Sequence, residues 1–119
     1  MPDPKSYAGG CHCGAVRYRV DADLSKVIRC DCSRCSKLGI WLSFVPATQF
    51  RLESGEDVLT DYQFNKMIVH HLFCSRCGTE SFARAAGPDG VPTVALNVRC
   101  LDGVNLEAID PVLIHGKER

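Results

Sequence analysis

Hydrophobic and polar residues alternate along several short stretches of the chain. In 15–20, Val16, Tyr18 and Val20 face one way while Arg17 and Arg19 face the other. That period of two is the signature of a half-buried strand. Stretches 40–45, 49–53, 58–64, 67–73, 93–99 and 112–115 read likewise, most of them rich in Val, Ile, Phe or Tyr. Turn residues separate them at Ser54-Gly55, at Gly87-Pro88-Asp89-Gly90 and at Asp102-Gly103. No long amphipathic helix competes, and one short helical turn is expected at Ser33–Leu38, with Ser33 capping its start and Gly39 ending it. The pattern predicts a mainly β fold.

At 119 residues the chain is one domain long, and a unit of this size buries roughly two-thirds of the surface its unfolded chain exposes. No repeat or low-complexity segment divides it, so a single domain is expected over 8–117, after a disordered lead at 1–7. No run approaches the ~18 apolar residues that span a bilayer, and the first ten residues lack the apolar core of a secretory signal. A cytoplasmic protein is expected. Fourteen Lys and Arg balance fourteen Asp and Glu, so charge supplies no reason to bind nucleic acid or a membrane surface.

Eight cysteines change the picture. In a reducing compartment they point to thiolates and metal rather than disulfides. Seven fall in three clusters: Cys11-His12-Cys13-Gly14, Cys30-Asp31-Cys32-Ser33-Arg34-Cys35 and Cys74-Ser75-Arg76-Cys77-Gly78. A close cysteine pair followed by Gly lets the backbone turn around one ion with its N–H groups aimed at sulfur. Cys11, Cys13, Cys74 and Cys77 therefore make a closed structural zinc site that clamps the first cluster to the third, against the blander readings of reduced core cysteines or a redox pair. Cys30, Cys32 and Cys35 offer three thiolates. Two readings stay open for them: a zinc with a vacant vertex, as in catalytic sites, or a second structural site closed by Cys100, His70, His71 or Asp31. Arg29, Arg34 and Lys37 flank this middle cluster, where they either receive a substrate carboxylate or are merely solvated.

His70 and His71 stand on one predicted strand and so project to opposite faces. His71 is either a base or donor near a thiolate or a satisfied structural histidine, and His12 points outward. Cys100, at the end of 93–99, reads as a small buried residue or as a further zinc ligand. Trp41 and Phe44 read as core aromatics or as the wall of a pocket beside the middle cluster.

The runs Gly9-Gly10-Cys11-His12-Cys13-Gly14-Ala15-Val16-Arg17-Tyr18, Cys30-Asp31-Cys32-Ser33-Arg34-Cys35 and His71-Leu72-Phe73-Cys74-Ser75-Arg76-Cys77-Gly78 resemble the glutathione-dependent formaldehyde-activating enzyme family, which includes the centromere protein V domain. Phe44-Val45-Pro46, 59–64 and 97–103 support the match in order. The resemblance implies a zinc-stapled β-tent fold of packed antiparallel sheets and two zinc ions per chain. One is structural on Cys11, Cys13, Cys74 and Cys77; the other is catalytic on Cys30, Cys32 and Cys35. It implies a carbon–sulfur lyase that condenses glutathione with formaldehyde, so a small-molecule thiol and aldehyde are the expected partners. The chain departs from the family's commonest pattern after Cys35, where Ser36 precedes Lys37 in place of an immediate basic residue. A non-catalytic zinc module that binds a protein partner is the rival function.

Overall fold

The computed structural model describes residues 5–31, 33–63, 69–87 and 90–114. Among the described residues ten strands form two sheets, accompanied by one short α-helix. The smaller sheet has the order β1 (Lys5–Gly10), β2 (Arg17–Ala22), β5 (Phe50–Ser54), and both its pairings are antiparallel. The larger sheet runs β10 (Val112–Ile114), β3 (Ile28–Cys30), β4 (Trp41–Pro46), β9 (Pro92–Asn97), β8 (Phe82–Ala86), β7 (His70–Cys74), β6 (Leu59–Tyr62). Its pairings are antiparallel except that β10 lies parallel to β3, so the two sheets are predominantly antiparallel as expected. Helix α1 (Ser33–Leu38) follows β3, and Gly39 at φ +66 ends it with its N–H on the Cys35 carbonyl.

The alternation in β2 does what the pattern requires. Val16, Tyr18 and Val20 are 0, 0 and 2% exposed and point at the larger sheet, whose Phe82, Val94 and Leu96 are equally closed off, as is Val98 just after β9. Tyr18, Phe50 and Phe82 pack as a three-ring cluster with centroids 4.7 to 5.8 Å apart, joining β2 and β5 to β8. The Tyr18 hydroxyl donates to the Ser81 carbonyl at 3.2 Å, so its one polar group is satisfied inside the core. A radius of gyration of 13.5 Å is that of one compact body of this length.

Several expectations need correction. Lys5, Ser6 and Tyr7, placed in a disordered lead, pair with Ala22, Asp21 and Val20 as the start of β1. Strand 93–99 stops at Asn97, whose side chain accepts from the Arg99 N–H and starts a single 3₁₀ turn over Val98–Cys100. β3 and β8 come from stretches with no reading as strands. Phe44 is not a core residue but 55% exposed, because Ser43 and Val45 take the inner face of β4. Residues 64–68, Pro88, Asp89 and His115 lie outside the described residues, as does Cys32. Gly87 and Gly90 bracket the expected turn, with the Gly90 N–H on the Gly87 carbonyl.

Candidate metal centre and the neighbouring cysteine pocket

Two tight turns face each other across the sheets. In the first, the Cys11 N–H donates to the Val16 carbonyl and the Val16 N–H returns to the Cys11 sulfur at 3.3 Å. In the second, the Cys74 N–H donates to the Thr79 carbonyl and the Gly78 N–H to the Cys74 carbonyl at 2.7 Å. Gly14 and Gly78 each close their turn at positive φ, +83 and +79, which side chains with a Cβ rarely adopt. Cys74 ends β7 and is fully buried, whereas Cys13 reaches the surface.

The four sulfurs of Cys11, Cys13, Cys74 and Cys77 lie within 4.8 Å of one another, a group that could hold a metal ion. Cys11 Sγ is 3.6 Å from Cys13 Sγ, which is 3.7 Å from Cys74 Sγ; both are far beyond a disulfide's bond length of about 2 Å. The thiols do not hold their protons equally. The Thr79 side chain and N–H beside Cys77 bring its pKa down to about 5. Cys13 is pushed up to about 11: the Ala15 N–H favours its thiolate, but desolvation and the crowd of three other thiols outweigh it. A cation held among these sulfurs would compensate thiolate charge there.

Of the middle cluster, Cys30 ends β3 and Cys35 is the one buried side chain of α1. Together with Arg29, Asp31, Trp41 and Leu113 they line a pocket of about 190 Å³. Trp41 meets both expectations made of it, packing against the core and forming a pocket wall, and the Arg99 guanidinium lies 5.2 Å from its ring centroid. Among the residues considered as a fourth donor, Asp31 borders the pocket. His70 instead meets Asp61 at 2.7 Å in solvent, and Cys100 lies 3.9 Å from the Glu80 carbonyl. His71 does project to the opposite face from His70, where its Nδ1 is 3.5 Å from a Glu80 carboxylate oxygen. His12 is exposed, as expected.

Arg34 is neither solvated nor turned to the pocket rim as one of its flanking cations. Its guanidinium donates to Glu80 Oε1 at 2.8 Å in a mostly buried ion pair and lies 4.6 Å from the centre of the Tyr62 ring. Glu80 gives no signal in the sequence: a lone acidic residue between Thr79 and Ser81 carries no local signature, and its partner is 46 residues away. Arg29 and Lys37 remain exposed.

The described residues contain no helix long and apolar enough to cross a membrane. A crystal structure of a Rhodobacter sphaeroides protein is 31% identical to this chain and superimposes with a TM-score of 0.79, covering 89% of this chain and 97% of that one. Residues 6–113 match the glutathione-dependent formaldehyde-activating enzyme family, a span that takes in both cysteine turns and the pocket. With that match over nearly its whole length, this mainly β chain belongs to the glutathione-dependent formaldehyde-activating enzyme family.

Proposed function

We propose that the protein is a zinc enzyme of the carbon–sulfur lyase type, joining a thiol to a small aldehyde, with glutathione and formaldehyde as the pair that the family's name supports. The observation that carries this reading is the pocket walled by Cys30 and Cys35, outside the four-cysteine group. Four thiolates around zinc, each at about 2.3 Å, are about 3.8 Å apart along a tetrahedral edge. The 3.6 and 3.7 Å separations at Cys11, Cys13 and Cys74 fit that figure, which supports a closed structural zinc there. Cys30, Cys32 and Cys35 hold the second zinc, making two ions per chain. Three protein ligands leave a vertex for substrate.

When bound at Cys30, Cys32 and Cys35, zinc supplies Lewis acidity and keeps a coordinated thiol ionised at neutral pH. The chain does the rest. A pocket of about 190 Å³ is smaller than those that enclose drug-sized ligands, about 300 to 1,000 Å³, so it takes a small aldehyde and the sulfur end of the thiol while the remainder lies outside. Arg29, exposed and lining the pocket, is the cation that meets a thiol-borne carboxylate as a bidentate donor in this reading. One carbon–sulfur bond forms as the carbonyl π bond opens, and the sulfur's proton ends on the new hydroxyl oxygen. No oxidant is consumed.

Exchange NMR on formaldehyde, glutathione and their adduct tests the reading, with wild type, Cys32→Ser and no protein compared because the uncatalysed reaction is itself quick. Zinc content is measured on the same samples. Acceleration by the wild type that disappears with the second zinc in Cys32→Ser is the expected result. Wild type loaded with two zinc ions and giving no acceleration overturns this substrate pair.

A further inference from the structure

We infer that Glu80 is a positioning residue that fixes the Cys30–Cys35 segment to the Cys74–Cys77 turn and thereby sets the geometry of the middle metal site. This rests on the reading that Cys30, Cys32 and Cys35 hold an ion. Helix α1 begins directly after Cys32 and carries Cys35, yet it is six residues long with only Cys35 buried. Helices this short are not stable by themselves. Apolar burial docks it through Cys35 alone, since Leu38 is half exposed. Its polar anchor is Arg34, held from one side by Glu80 and covered on another by the Tyr62 ring.

Glu80 is in turn tied to the third cluster. It stands three residues after Cys77, beyond Thr79, whose carbonyl takes the Cys74 N–H and whose hydroxyl lies 3.5 Å from the Cys77 sulfur. Its own carbonyl accepts from the Asn97 side chain at 2.9 Å, which locks the residue to the end of β9. Only 8% exposed, its carboxylate has Arg34 at 2.8 Å and His71 at 3.5 Å. Removing one partner of a buried pair leaves the other charge uncompensated, so α1 must shift to bring Arg34 back to water. Cys35 moves with it. The residue acts on the ligands rather than on substrate.

The test is the affinity and spectrum of each bound ion in intact protein. Zinc is titrated against chelators of graded strength, and cobalt(II) replaces it for absorption spectra, in wild type, Cys32→Ser, Glu80→Gln, Arg34→Met and the Glu80→Gln/Arg34→Met double variant. Expected are two ions in wild type, one in Cys32→Ser, and in Glu80→Gln an unchanged first ion with the second weakened by about 10- to 100-fold. The cobalt bands missing from Cys32→Ser are those that shift in Glu80→Gln, and the double variant loses no more than either single change. Should Glu80→Gln fail to fold, Arg34→Met carries the same test from the helix side. Two ions bound with wild-type affinity and spectra in these variants overturn the inference about Glu80 alone. A wild type that binds a single ion overturns the reading of the middle cluster, and the inference with it.

Discussion

Gly10 lies so close to Val16 that a Cβ built on it would stand 2.0 Å from the Val16 carbonyl oxygen. That carbonyl also accepts the Cys11 N–H, so it cannot move aside without opening the first cysteine turn. Gly10→Ala is therefore expected to cost at least about 3 kcal/mol, the upper range of overpacking, and to lower the melting temperature by more than ~10 °C. Thermal unfolding followed by circular dichroism checks this, and a Gly10→Ala protein that melts with the wild type would show that the turn yields freely.

On the proposal that Cys11, Cys13, Cys74 and Cys77 hold zinc, its removal is expected to unfold more than the turns. The four sulfurs join β7 to the loop between β1 and β2, so they cross from one sheet to the other. Apparent binding free energies for structural zinc are about 10 kcal/mol or more at neutral pH, comparable to the whole stability of a small domain. A strong chelator should abolish the near-ultraviolet signal of the Tyr18, Phe50 and Phe82 cluster, and zinc added back should restore it. Cys74→Ser, which alters the fully buried cysteine of this group, should fail to fold at 37 °C.

How much of this was legible depends on how local each signal is. The two cysteine turns could be read because the cysteines and closing glycine of each sit within five residues of one another. In 16–20 apolar side chains occupy one face only, so the inner face of β2 was also readable. In 40–45 both faces carry apolar residues, and period two could not say that Ser43 and Val45, rather than Phe44, point inward. β1 has no apolar rhythm at all; its pairing rests on backbone hydrogen bonds, and Gly9 is demanded by contacts to Tyr18 and the Cys100 carbonyl, across the fold. β8 hides behind three alanines, which have little strand preference. Arg34 and Glu80 each look like ordinary surface charge until the fold buries them together.

The core discriminates between losing a hydrogen bond and losing a ring. Tyr18→Phe removes a donor to the Ser81 carbonyl, but that carbonyl keeps the Asn97 N–H at 3.0 Å, so no buried acceptor is orphaned. A loss of about 1 kcal/mol is expected. Phe82→Ala instead empties a fully buried site against two other rings and should cost about 3 to 5 kcal/mol. Urea denaturation of both variants measures the difference; equal midpoints would mean that the ring cluster does not join the sheets.

Burial raises the Cys100 thiol to about 11, with the charges of Cys11, Cys77 and Glu80 acting in the same direction and Arg99 opposing them. The reactive form is the thiolate, so at pH 8 Cys100 in folded protein should alkylate about 100-fold more slowly than in denaturant, where its pKa returns to 9.0. Peptide mapping after iodoacetamide reads that ratio at this one residue. The same shift makes stability depend on pH. Between pH 9 and 11 the unfolded chain has released the Cys100 proton while the folded chain retains it, so the folded state loses ground as pH rises through this window. Below pH 9 the contribution is fully present. Cys100→Ala removes the titrating group, and its urea midpoint should therefore fall less than that of the wild type between pH 8 and 10.5. Parallel declines would place the alkaline sensitivity elsewhere in the protein.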